Sequence, residues 1–193
     1  MYLYVVRHGE TAENTRSIMQ GNMDTVLDEK GKLQAKEAKE KLKGVQIDLI
    51  ISSPKQRTLE TALIVADDDT IIITDDRLLS RDHGEFQGKP RYEINLKDYW
   101  NIKLNKQYER AECVKHIYDR VDSLINEIKT KYRDKTVLLV THSGICRILY
   151  YYFNGIPEDG DLMGYESTNC SVERYELEGK ARFIANKTLK EAL

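Results

Sequence analysis

Cysteine is scarce in this chain: three residues in 193, at positions 113, 146 and 170. They are far apart, and no Cys-x-x-Cys pair or Cys/His cluster occurs, which argues against a zinc site. Small buried thiols are the expectation for all three. Charge of one sign is not in excess either. Lys and Arg total 30 against 32 Asp and Glu, so there is no field for gripping nucleic acid or an anionic membrane. No run approaches the roughly 20 apolar residues of a membrane span. The first residues lack the basic start, apolar middle and small-residue cleavage site of a secretory signal, so a cytoplasmic protein is expected. Repeats, low-complexity tracts and linkers are missing as well, and 193 residues with 40% apolar side chains predict a single domain, 1–193, with a real core.

What is present is an alternation of strand and helix patterns, which predicts an α/β fold: three layers, with a mainly parallel central sheet and helices on both faces. Residues 2–6 read as the first strand. Asp28 is an expected N-cap for a helix carrying Leu33, Ala35, Ala38 and Leu42 until Gly44. Ile47 to Ile51 reads as a second strand. Pro54 suits the first turn of a helix running to about Ala66, and Thr70 to Ile73 reads as a third strand. Val114, Ile117, Tyr118, Val121, Leu124, Ile125 and Ile128 mark one face of a long amphipathic helix. Val137 to Val140 is apolar throughout, as a central parallel strand should be, and Ile145 to Phe153 reads as the next helix. Val172–Leu177 and Ala181–Ala185 read as a closing hairpin.

Two of the apolar strands run into a histidine: Val5-Val6-Arg7-His8-Gly9 and Leu139-Val140-Thr141-His142-Ser143. A strand-end imidazole can be a nucleophile, a base, a metal ligand or core filling. Two at equivalent strand ends, on the edge where open α/β sheets bind ligands, are harder to dismiss as packing. A third strand end, Ser52-Ser53-Pro54, leads into a helix whose first turn carries Arg57, and helix N-termini favour anions. Arg7, Arg57, His8 and His142 therefore converge on one positive pocket. A phosphoryl group suits it best, because guanidinium forks match phosphate oxygens.

The residues Arg7-His8-Gly9-Glu10-Thr11, Asn14, Gln20-Gly21, Asp24, Leu27, Gly31, Gln34-Ala35, Ser52-Ser53-Pro54, Arg57-Thr58, Glu60-Thr61-Ala62 and Thr141-His142 follow the pattern of the histidine phosphatase superfamily. The chain resembles its phosphoglycerate-mutase-like branch over most of residues 1–88 and 136–171. That resemblance implies a phosphomonoesterase in which His8 is the nucleophile, becoming a phosphohistidine. Arg7, Arg57 and His142 would hold the phosphate oxygens, with Thr11, Asn14 and the Ser143 backbone N–H at the same site and Gln20 and Gly21 facing the rest of a small phosphorylated substrate. It implies neither a metal nor another cofactor. An imidazole near pKa 6.5 is available as a nucleophile at neutral pH, and phosphoryl transfer needs positioning and charge stabilisation above all.

One position departs from the pattern. The family's acid, a Glu in Leu-x-Glu-x-x-x-Gly, falls on Ser80 in Leu78-Leu79-Ser80-Arg81-Asp82-His83-Gly84. A hydroxyl cannot protonate a leaving alkoxide near neutral pH. Asp82 is the substitute expected here, with Glu85 second. Ile18 stands where relatives usually carry Arg. His83 is expected on a partly exposed loop and His116 on the wet side of its helix.

Four other readings compete. A thiol phosphatase needs Arg six places after its Cys, where this chain has Asp119, Tyr152 and Glu176. Asp67-Asp68-Asp69 imitates the nucleophile motif of haloacid-dehalogenase-like phosphatases but falls at the end of a helix, as a solvated loop would. A phosphate- or phosphopeptide-binding module would keep the pocket and dispense with the acid. A phosphoglycerate mutase would need a substantial cover over the pocket, whereas a lid here is confined to about Lys89–Tyr108, so hydrolysis is expected over mutase-type transfer. The lid mixes Tyr92, Tyr99, Trp100 and Tyr108 with lysines. Its aromatics are expected to pack on the core while the lysines stay wet.

Overall fold

The computed structural model describes residues 1–177. Five strands form one sheet in the order β3-β2-β4-β1-β5: β1 (Tyr2–Arg7), β2 (Leu49–Ser52), β3 (Ile71–Thr74), β4 (Val137–Thr141) and β5 (Val172–Glu176). The first four run parallel, and β5 pairs antiparallel with β1. All five residues of β4 are fully buried, as its unbroken apolar run requires of a strand covered on both faces. β3 stands at one end of the sheet and leaves Ile71 and Ile73 exposed.

Side-chain alternation along the strands divides the core in two. Leu3, Val5, Val137 and Leu139 pack under α5 (Val114–Lys131) and α6 (Ser143–Asn154). Tyr4, Val6, Leu138 and Val140 face α2 (Glu29–Lys41) and α3 (Gln56–Val65). The sheet is therefore a middle layer with helices on both faces. Two short helices, α1 (Ala12–Thr15) and α4 (Leu96–Tyr99), follow β1 and precede α5 along the chain.

Element boundaries differ from the sequence reading by one to three residues. Asp28 is the N-cap of α2, its carboxylate accepting from the Gly31 N–H at 2.7 Å. Leu33, placed on the apolar face of α2, is 59% exposed; alanines and Leu42 suffice for that contact. Pro54 lies before the N-cap of α3, which is Lys55, rather than inside the first turn. Tyr118 is only partly buried at the rim of the α5 stripe. The first arm of the closing hairpin is β5; Ala181–Ala185 lies outside the described residues. Residues 89–108 carry a 3₁₀ turn at Arg91–Glu93 and then α4. Tyr99 and Trp100 are buried in the core as expected, whereas Tyr92 is exposed.

The path out of β1 is fixed by a close approach of two glycines. A Cβ on Gly9 would lie 2.4 Å from the Gly31 carbonyl oxygen, and one on Gly31 would lie 2.2 Å from that of Glu10. Both distances are far inside van der Waals contact, so the first turn of α2 presses directly on the loop after β1. Replacing Gly31 by Ala should destabilise the fold by about 1–3 kcal/mol, the usual cost of overpacking. A fall in the urea unfolding midpoint at unchanged m-value is the expected result.

Candidate active site

Register brings the two histidines together. Arg7 pairs with Thr141 across β1 and β4, the His8 N–H donates to the Thr141 carbonyl at 2.9 Å, and the two imidazole centroids stand 5.3 Å apart. The neighbouring strand end delivers Ser53, whose N–H donates to the Val140 carbonyl at 3.0 Å. Three adjacent parallel strands thus present their C-terminal ends to one pocket, lined by Arg7, His8, Asn14, Gln20, Gly21, Arg57, His142 and Ser143.

Hydrogen bonds decide the protonation of both rings. His8 Nδ1 lies 2.7 Å from the Gly9 carbonyl, which can only accept, so Nδ1 carries the proton and Nε2 keeps its lone pair. At His142, the Arg57 guanidinium donates to Nδ1 at 3.1 Å, and Nε2–H donates to Ser53 Oγ at 2.8 Å. Burial, joined by the positive charge of Arg57, holds both rings far below the usual histidine range. Both are neutral, and His8 presents an unprotonated nitrogen.

The loop that carries His8 is held from behind by several side chains, Thr61 and Gln34 of the motif pattern among them. Thr61 Oγ1 accepts from the Gly9 N–H at 3.1 Å and Gln34 Oε1 from the Glu10 N–H at 2.9 Å. Glu60 accepts from the Leu27 N–H at 3.0 Å. Asn169 donates to the His8 carbonyl at 2.9 Å.

The arginines are anchored on neutral acceptors. Arg57 donates to the carbonyls of Met23 at 2.7 Å and Gly21 at 2.9 Å, and Arg7 to that of Ser167 at 2.6 Å. Gly21 has φ of +49°, and a Cβ there would sit 2.8 Å from Gln87 Oε1, so this carbonyl depends on glycine. Gln20 accepts from Thr25 Oγ1 at 2.6 Å, which leaves its amide NH₂ for the pocket.

Sequence reading missed three further walls. Arg81 is buried, donates to the carbonyls of Glu112 at 2.8 Å and Tyr99 at 2.5 Å, and stacks 3.4 Å over the Tyr99 ring. Arg147 donates to the Tyr165 carbonyl at 3.0 Å and lies 4.8 Å from the Trp100 ring. Trp100 in turn presses on Gly144, where a Cβ would stand 2.7 Å from the indole. A lone Arg within the apolar run Ile145–Phe153, one turn after Ser143, was a readable signal for Arg147. Nothing local marks Arg81.

Three candidates are placed elsewhere. Asp82 is exposed; its carboxylate accepts from the Gly84 N–H at 2.9 Å, and it borders a separate surface hollow with Glu112, His116 and Arg120. Arg81 and His83 on either side of it are buried, so alternation of the extended chain turns Asp82 outward. Glu85 is likewise exposed and does not line the pocket. Thr11 is buried but serves as the N-cap of α1, with the Thr11–Asn14 capping box closed in both directions; it does not line the pocket. Asp67, Asp68 and Asp69 are exposed in the turn between α3 and β3.

His83 corrects the expectation of an exposed loop residue. It is buried on the pocket wall, with Nδ1 2.8 Å from the Tyr99 hydroxyl. Burial, with Arg81 nearby, pushes its pKa down to about 3. His116 is exposed and pairs with Glu112 at 2.7 Å.

A sheet edge that offers a neutral imidazole with an unprotonated nitrogen among guanidinium groups is suited to phosphoryl transfer. Comparison with known proteins gives the family: residues 3–188 match the histidine phosphatase superfamily (branch 1), and the chain belongs to it. The chain is 31% identical to phosphoserine phosphatase 1 of Hydrogenobacter thermophilus over 91% of its own length and 84% of the relative. It is 31% identical to a glucosyl-3-phosphoglycerate phosphatase of Mycolicibacterium vanbaalenii, over 81% and 76%. Among solved structures, Bacillus stearothermophilus YhfR superimposes with a TM-score of 0.83 at 30% identity, covering 96% of each chain. The protein is a phosphomonoesterase of the histidine phosphatase type. No helix among the described residues is long and apolar enough to cross a membrane.

Three buried neutral histidines carry a stability consequence. Their folded pKa values lie below the unfolded value near 6.5, so the unfolded chain takes up more protons as pH falls below that value. Stability is therefore full above about pH 6.5 and declines below it, by up to roughly 1.4 kcal/mol per pH unit for each such histidine. Urea midpoints measured from pH 8 to pH 4 should show this decline, and His83→Gln should make it shallower.

Proposed function

We propose that His8 Nε2 attacks the phosphorus of a small phosphorylated substrate and carries the phosphoryl group as phosphohistidine until water removes it. The observation that carries this reading is the Nδ1–H···O=C bond from His8 to Gly9. It leaves an unprotonated nitrogen beside Arg7 and Arg57, whose guanidinium groups are bonded to carbonyls and retain their charge. Arg7 and Arg57 hold the phosphate oxygens, with His142, Asn14 and the Ser143 N–H at the head of α6 completing the cradle. Gln20 and Gly21 flank the remainder of the substrate.

The chain acts as one domain in which residues 89–108 serve as a cover: Arg91, Leu96 and Trp100 from that segment line the pocket. No metal or other cofactor enters this reading. Three free cysteines are in keeping with a reducing cytoplasm, and the phosphate-scale site favours small metabolites over nucleic acid. Phosphoserine and glucosyl-3-phosphoglycerate, named in the relatives, belong in the first substrate panel.

His8→Ala should abolish both hydrolysis of p-nitrophenyl phosphate and acid-labile ³²P labelling. Turnover persisting in that variant would overturn the phosphohistidine reading. Asp82→Asn should leave kcat unchanged, because its carboxylate faces away from the pocket; a loss of about 10²-fold, the usual contribution of a general acid, would return the acid role to it.

A further inference from the structure

Among the described residues, the pocket is lined by no side chain suited to protonating a leaving group. Among the described residues, none of those lining it is Asp or Glu, and Ser80 stands on its wall where an acid is expected. His83, on the same wall, is deprotonated at neutral pH, and a neutral imidazole is a very weak acid. The nearest carboxylate partner of a pocket arginine, Glu166, is bonded to Arg91 at 2.9 Å and held below the ordinary carboxyl range by that pairing despite its partial burial. A general acid works best when its pKa lies near the operating pH, and neither His83 nor Glu166 meets that condition.

The same wall is rich in donors. Arg81 and Arg147 are 1% and 2% exposed. Each keeps one buried guanidinium nitrogen with no hydrogen-bond partner among the described residues, although such groups are nearly always paired. Their remaining bonds go to backbone carbonyls, so their charge is not cancelled by a carboxylate.

We propose that this enzyme is selective for phosphoryl compounds whose leaving group departs as a stable anion (acyl phosphates, phosphoric anhydrides and aryl phosphates), with Arg81 and Arg147 receiving that anion in place of a proton donor. The inference rests on the His8 mechanism above and names its substrate class. The lone pair of His8 Nε2 forms the P–N bond as the P–O bond to the leaving group breaks. The bonding pair leaves on that oxygen as carboxylate, phosphate or phenolate, and no proton is transferred to it from the protein. Water then attacks phosphorus, the P–N pair returns to Nε2, and the water proton passes to the released phosphate or to solvent. Carboxylic acids and phenols, with pKa values of about 4 and 10, release such anions readily; alkanols do not.

The test is a leaving-group series on the unmodified protein: acetyl phosphate, substituted phenyl phosphates and the alkyl phosphates phosphoserine and glycerol phosphate. We expect kcat/KM to fall steeply as the leaving group becomes more basic, with alkyl phosphates slower than aryl ones by about 10²-fold or more, the deficit of a missing general acid. Ser80→Glu should narrow that gap by raising alkyl phosphate turnover. Equal kcat/KM on alkyl and aryl phosphates would overturn the selectivity while leaving the His8 mechanism standing. Activity that survives His8→Ala would overturn the mechanism itself.

Discussion

Guanidinium groups buried against backbone carbonyls are the constraint on which the rest of this structure depends. Arg7, Arg57, Arg81 and Arg147 are each tied to one or more carbonyl oxygens. A carbonyl satisfies the hydrogen-bonding demand of a buried cation but contributes only a dipole against its charge. Burial therefore lowers Arg57 and Arg147 to about 10, still charged at neutral pH. Removing a charge from water carries a heavy desolvation cost, and a phosphorylated ligand supplies the missing counter-charge. The pocket is complementary to an anion because the fold declines to neutralise it from within.

This local excess is hidden in the chain totals, which are nearly balanced. Several acidic side chains pair outside the pocket, Glu112 with Arg120 and Asp75 and Glu127 with Arg77, while Glu166 pairs with the pocket-lining Arg91. Separation of that kind, with cations inside and carboxylates on the outer face, focuses a positive potential at one opening. It also reinforces the state of the histidines, which burial first and the nearby guanidinium charges second hold neutral.

Much of this was legible in the sequence. The strand and helix order followed from periodicity, and the convergence of Arg7, His8, Arg57 and His142 followed from their positions at strand and helix ends, where a parallel sheet gathers its functional groups. The His8 tautomer was not legible, since it depends on a carbonyl one residue away turning back toward the ring. Asp82 misled because a carboxylate two positions from the expected acid looks equivalent in one dimension, while strand-like alternation puts it on the other side of the loop. His83 and Arg81 were obscured for the converse reason: polar residues in a loop without periodicity give no sign that Tyr99 and Trp100 will cover them. Thr11 looked like a ligand-binding hydroxyl and is a helix cap, a role its spacing to Asn14 also allowed.

The carbonyl anchoring has an evolutionary corollary. The acceptors that fix the arginines belong to Gly21, Met23, Tyr99, Glu112, Tyr165 and Ser167, and each acts through its main chain. With Gly21 excepted, the identity of these residues is nearly irrelevant to the bond they make. The instructions for the cationic wall are thus written in the path of the loops rather than in their letters. Such a wall can persist through extensive sequence drift, or be redrawn by a single loop insertion that leaves every catalytic letter in place.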